Sequence, residues 1–346
     1  MRALDESHTA GPPTAGQLFG EPWRAWLALL IGVLAVTAQT ASSITVSVLM
    51  KSIVAEFQWS RAEFATAATV RLLAMIVAMP IAGQLTDRFG ARVVLGGGAL
   101  VAGVCVFAMS AVQTLPQLWL ISVAMGPAQA CIGSVGASAL VLRLFDRRRG
   151  LAVGILNGGD NLLNAALPLG AVALLEGHGW RATLAVLATV YFGLAALIAI
   201  CLRASDGRES PAERADAPPY RVRDRLRDDR RLWVVFVVFA AIYAYITSLQ
   251  LHFFAYQTDS GQTAATASRL MSIQILVGAL GATLLGWFAA RTSARTALVV
   301  SVVGLAISAA AVWNVHAEPA LTAWAVFHGL VNGGVVAVLA LVLHEL

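Results

Sequence analysis

Ten apolar runs, nearly free of charge, alternate with short polar segments along the chain. They fall roughly at 26 to 50, 64 to 86, 92 to 112, 117 to 142, 150 to 175, 182 to 203, 232 to 256, 265 to 290, 296 to 315 and 321 to 343. Most hold 18 residues or more, enough to cross a hydrocarbon core of about 30 Å at about 1.5 Å per residue. The pattern predicts an all-α polytopic membrane protein of ten transmembrane helices. Residues 1–25 are polar and rich in Gly and Pro, and no basic stretch leads directly into a short apolar core, so they read as a tail rather than a signal peptide. A longer polar stretch, 204–231, holds Pro211, Pro218, Pro219 and the charged run Arg221 to Arg231. It divides the chain into a six-helix bundle, 26–203, and a four-helix bundle, 232–346.

The two parts carry copies of one segment. Gly83-Gln84-Leu85-Thr86-Asp87-Arg88-Phe89-Gly90-Ala91-Arg92-Val93-Val94-Leu95 sits between the second and third runs, and Gly286 to Leu298 repeats it 203 residues later. Gly83, Arg88, Arg92 and Leu95 are kept as Gly286, Arg291, Arg295 and Leu298, whereas Asp87 has become Ala290 and Gly90 has become Ser293. The pattern G-x-L-x-D-R-x-G-x-R-x-x-L between a second and a third span resembles the cytoplasmic signature of the major facilitator superfamily. That resemblance implies a bundle of six plus six helices related by an axis along the membrane normal, so the chain is expected to lack the last two. It also implies a gating role for Gly83, Asp87, Arg88, Gly90 and Arg92, with Asp87 facing the amino terminus of an eleventh helix and Asp146 available to Arg92. Three short stretches, Phe57 to Phe64, Arg147 to Gly154 and Gly179-Trp180-Arg181, resemble the monocarboxylate and oxalate/formate porter branch. Carboxylate carriers of that branch have a basic residue in the eighth span where this chain has Ala282.

Charge sets the expected orientation. With the amino terminus inside, 19 of the 24 basic residues fall on cytoplasmic segments, three outside (Lys51, Arg61, Arg181) and two within spans (Arg71, Arg269). Both termini are therefore expected in the cytoplasm of a bacterial-type plasma membrane. The apolar fraction of 58%, against 12% charged residues, requires lipid as the solvent, and the pI near 9.6 reflects basic loops facing anionic lipid rather than nucleic acid. Cys105, Cys131 and Cys201 lie in apolar runs without CxxC spacing, and no HExxH or GxSxG occurs, so neither a metal nor a cofactor nor an enzyme activity is expected. The Gly96-Gly97-Gly98 run follows no strand and reads as close helix packing.

The candidate chemistry lies in mid-membrane polar residues. Asn157, Asp160, Asn161 and Asn164 occupy one face of the fifth span at i, i+3, i+4 and i+7. A charge at that depth costs about 2.5–3.5 kcal/mol on insertion scales, which makes such a face a binding surface or an interhelical hydrogen-bond network. Arg71 lies about 22 Å into the second span, near the depth of Asp160. It is expected either to bind a carboxylate in bidentate fashion or to pair with Asp160. Gln39, Ser43 and Ser47 on the first span, Tyr243, Thr247 and Gln250 with His252 on the seventh, and His328 with Asn332 on the tenth extend a cavity lining. Arg269 is a ligand or gate candidate nearer the outer surface. Proton coupling through His252, His328 or Asp160 is the one auxiliary chemistry expected. Together with the resemblance, these residues imply a secondary transporter of a small organic anion working by alternating access. The alternative is a non-transporting sensor, scaffold or inactive remnant. The fold class leaves the substrate, the direction and the coupling ion open, and no pattern specifies an oligomeric state.

Overall fold

The computed structural model describes residues 17–18, 21–145, 148–202, 230–315 and 317–344. Two short antiparallel strands, β1 (Gln17–Leu18) and β2 (Glu21–Pro22), precede the helices. The first part continues as α1 (Trp23–Phe57), α2 (Arg61–Phe89), α3 (Ala91–Ser110), α4 (Leu115–Ile132), α5 (Ser134–Leu144) and α6 (Arg149–Cys201). The second part holds α7 (Arg230–Asp259), α8 (Ala264–Arg291), α9 (Ala294–Ala311), a 3₁₀ turn (Val312–Asn314) and α10 (Glu318–His344). Among the described residues, seven helices are long and apolar enough to cross a membrane. One of these, Gly154–Cys201, carries both the fifth and the sixth apolar runs. Helix α1 begins inside the expected 1–25 tail, and most of the expected 204–231 linker lies outside the described residues.

Local chemistry sets the breaks. Ser60 caps α2 through a reciprocal capping box: Glu63 N–H donates to Ser60 Oγ at 3.1 Å, and Ser60 N–H donates to Glu63 Oε2 at 2.8 Å. Such a cap is worth about 1 kcal/mol. Gly90 ends α2 at φ 86, where a side chain would be strained, and its N–H donates to Thr86 O at 2.8 Å before α3 starts one residue later. Gly179, at φ 80, divides α6 into two helical stretches. The fourth apolar run is not one helix, because Gly133 adopts an extended ψ of 176 and separates α4 from α5.

Glycines also set how closely helices approach. In the Gly96 to Gly98 run, a Cβ at Gly98 would lie 2.7 Å from Cys131 Cβ and one at Gly96 would lie 3.2 Å from Ile198, whereas Gly97 faces open space. Small residues let backbones close together where lipid supplies no hydrophobic drive between helices. Helices α8 and α10 meet in the same way through Gly278, Gly281, Gly329 and Gly333.

Among the described residues, the buried apolar cluster that the two parts share lies toward one end. Ile44 and Val48 of α1, Ala171 and Val172 of α6, Phe253 and Phe254 of α7, and Ala267, Leu270 and Met271 of α8 form one buried apolar cluster. All of these lie toward the end of the bundle that carries Lys51, Arg61 and Asp259. At the opposite end, which carries Asp87 and Arg88, the buried clusters each stay within one part. Ala25, Leu29, Val141 and Phe145 group on the first side, and Ala289, Ala294, Ala297 and Val338 on the second. Among the described residues the bundle is therefore closed at the Lys51 end and split at the signature end.

Candidate functional site

Arg71 borders a void of about 30 Å³ between α1, α2, α3 and α4, lined also by Ser42, Ser43, Ser122 and Met125. A space of that size holds about one water. Its lining residue from the second part is Leu251 of α7. Gly126 of α4 fixes the position of Arg71: a Cβ there would fall 2.6 Å from Arg71 O and 2.7 Å from Met75 N. Tyr191 lies within electrostatic range of Arg71 and donates its hydroxyl to Ala38 O. Gln129 Nε2 donates to Gln39 O at 2.8 Å and to Ser42 Oγ at 3.0 Å. Gln129 and Tyr191 thus anchor α1 beside the void. Sequence reasoning missed both. Gln129 had a signal, a lone amide within an apolar run, and Tyr191 had none.

The fifth-span face is a network of its own. Asn164, 5% exposed, donates from Nδ2 to Asp160 Oδ1 at 2.7 Å and accepts from Thr40 Oγ1 at 3.0 Å. Asn161 Nδ2 donates to Asn157 O at 2.8 Å, and the Asn157 side chain is exposed. Asp160 and Arg71 do not pair, and among the described residues Asp160 meets no cation. Thr40 and Asn164 tie the Asp160 face to α1, while Arg71 sits on the α2 side of that helix. Of the two alternatives open for Arg71, the pair with Asp160 is not formed here, because equal depth along two spans says nothing about which neighbours stand between them.

The remaining candidates divide. Gln39 and Ser43 stay by the void or beside Gly133, but Ser47 is buried and donates to Ile44 O at 2.7 Å. Tyr243, Gln250 and His252 are partly buried on α7, with Thr247 Oγ1 donating to Tyr243 O at 2.7 Å. His328, 3% exposed, is packed inside the second part. Its ring stacks on Trp324 at 5.1 Å, and Nδ1 lies 2.9 Å from Ser308 Oγ. Asn332 Oδ1 nearby is buried with no hydrogen-bond partner among the described residues. Arg269 pairs with Glu318 at the surface of the second part, both side chains about half exposed. Such a pair is worth about 0–1 kcal/mol.

At the signature end, Gly90 supplies the turn that places Asp87 at the end of α2 and Arg92 in the first turn of α3. Arg88 lies over the Phe89 ring at 5.3 Å. Among the described residues Asp87, Arg88 and Arg92 form no ion pair, and Asp146, the expected partner of Arg92, lies outside them. In the second copy Ser293 replaces the glycine with a different device: its Oγ caps α9 by accepting from Thr296 N–H at 3.1 Å. Arg291 stacks on Trp287 at 3.9 Å.

The family model of the Major Facilitator Superfamily matches residues 11–346. The chain is 29% identical over 211 residues to the tetracenomycin C resistance and export protein of Streptomyces glaucescens, covering 61% of this chain and 38% of that protein. It is 26% identical over 167 residues to human monocarboxylate transporter 6, covering 48% of this chain and 33% of that one. Mouse monocarboxylate transporter 11 is 32% identical over 136 residues, 39% of this chain and 30% of the relative. The chain thus spans about a third of the length of these curated relatives. Among solved structures, a bacterial homolog of the human lysosomal transporter Spinster, inward-facing and unoccupied, superposes with a TM-score of 0.70. At 16% identity, covering 92% of this chain and 74% of that one, it shows a shared fold. A signature loop between the second and third apolar runs, its decayed copy, two helical parts closed at one end and the match over 11–346 lead to one assignment: the chain is a multi-pass membrane protein of the major facilitator superfamily.

Proposed function

We propose that the protein is a secondary active transporter that moves a small organic anion, such as a monocarboxylate, by alternating access. In this reading the chain crosses the membrane ten times, as bundles 26–203 and 232–346 joined by 204–231. Both termini and the signature end lie in the cytoplasm, so the Lys51 end is the outer one. The observation that carries the reading is Arg71: a guanidinium with no carboxylate partner among the described residues, beside three serine hydroxyls, in a void that Leu251 of the other bundle also lines. Arginine stays charged even when desolvated and presents a planar fork of donors that matches a carboxylate. Opening of α7 away from that fork would expose an anion site, and reclosure would occlude it. Asp160, held by Asn164 and free of cations among the described residues, is the proposed proton-coupling residue. The monocarboxylate transporters among the relatives support this substrate class. The basic signature loops would rest against anionic lipid headgroups.

Protection from labelling tests the site. A cysteine introduced at Ser43, which borders the void with Arg71, should react more slowly with a thiol reagent when a transported monocarboxylate is present. A neutral solute of similar size should leave the rate unchanged. Equal protection by both, or by neither, would remove Arg71 as the anion contact.

A further inference from the structure

Among the described residues four ion pairs form, and their distribution between the bundles is uneven. Arg181–Glu56 stays within the first bundle and Arg269–Glu318 within the second. The other two cross between bundles and converge on one carboxylate, that of Asp259 at the last residue of α7. Lys51 Nζ of α1 lies 2.7 Å from Asp259 Oδ1 and 3.3 Å from Thr258 Oγ1, while Arg61 of α2 holds Oδ2. The Lys51 bond, then Arg61, keep the Asp259 carboxyl below the usual carboxylate range.

We propose that Asp259, Lys51 and Arg61 form an outer latch that holds the bundles closed at this end and must break before the outward-open state forms. This rests on the alternating-access reading above. The geometry fits a latch better than a structural clamp. The three side chains are 37 to 47% exposed, so water replaces each bond at little cost and the closure is easily reversed. The apolar seam beneath packs Ile44 and Val48 against Phe253 and Phe254, and apolar contacts are non-directional. The latch is engaged, and among the described residues the signature charges Asp87, Arg88 and Arg92 at the other end form no ion pair. The first bundle also offers a rigid anchor. Glu56, near Lys51 on α1, accepts from Trp180 Nε1 at 2.7 Å and from Arg181 Nη1 at 2.5 Å, so the end of α1 is tied to the turn at Gly179. A pull on Asp259 therefore acts on the whole bundle rather than on a loose helix end.

The test uses the full chain in right-side-out vesicles, with Cys105, Cys131 and Cys201 replaced by alanine and a single cysteine placed at Val48 in the seam. An impermeant maleimide applied from outside should label that cysteine about fivefold faster when Asp259→Asn is added, the change expected for a small network of exposed ion pairs. The triple reversal Lys51→Asp, Arg61→Asp and Asp259→Arg should restore the parental rate, and it decides the matter if Asp259→Asn does not reach the membrane. An unchanged rate in Asp259→Asn, or a rate that stays high in the reversal, overturns the latch. Organic-anion uptake in the same vesicles separates the two claims. Faster labelling without uptake by any variant keeps the latch and removes the transport reading. Unchanged labelling with normal uptake removes the latch alone.

Discussion

Replacing Arg71 by lysine should reduce organic-anion uptake about 10- to 100-fold, while the protein still inserts and folds. Lysine keeps the charge but replaces a planar fork with a point donor, and losing one hydrogen bond to a charged group costs about 1.5–3 kcal/mol. Arg71→Gln should lose still more, since nothing then attracts the carboxylate. The double variant Arg71→Gln with Asp160→Asn should be as inactive as Arg71→Gln alone, because the two residues do not pair and Asp160 is held by Asn164 on the far side of α1. Initial uptake rates, normalised to protein in the membrane, decide this. Recovery of activity in the double variant would mean that the two charges compensate each other, and Arg71 would become a structural residue.

The second large effect is expected at Gly126. A leucine there must displace the backbone of α2 at Arg71 and Met75, because even a Cβ would lie 2.6 to 2.7 Å from those atoms. Overpacking a tight contact costs about 1–3 kcal/mol, and here the displaced segment carries Arg71 itself. Gly126→Leu should thus lower the apparent melting temperature in detergent and abolish uptake together. Gly97→Leu is the matched control: the same side chain added one helix away, where nothing lies within 4 Å, should change neither. Equal damage from both would mean that the loss comes from helix propensity or insertion rather than from the α2–α4 approach.

Much of the architecture was legible because lipid imposes a simple code. Long charge-poor runs had to become helices, since no other continuous backbone satisfies its hydrogen bonds in hydrocarbon. Gly90, part of the loop signature, sits where a positive φ turns α2 into α3 within one residue. The polar spacing from Asn157 to Asn164 was visible in the sequence, but only Asp160 and Asn164 join a side-chain network that reaches α1, and Asn157 is exposed. What escaped was set by neighbours distant in sequence. The break at Gly133 has no flanking signal, because glycine inside membrane helices usually marks close packing. Tyr191 is one aromatic among many until its hydroxyl is seen on Ala38 O. The separation of Arg71 from Asp160 depends on which faces of α1 the second and fifth spans occupy, and helical periodicity within one span carries no such information. Nothing in the sequence around Asp259 signals the two cations that reach it from the first part of the chain.

Flux is the most direct measure of the central claim. Purified protein reconstituted in proteoliposomes and loaded with an unlabelled small monocarboxylate should accumulate the labelled compound by counterflow above protein-free liposomes. That accumulation should vanish in Arg71→Gln and not be supported by neutral solutes of similar size. Binding of a carboxylate without any transmembrane exchange, or exchange of neutral solutes that Arg71→Gln leaves intact, would contradict an organic-anion transporter.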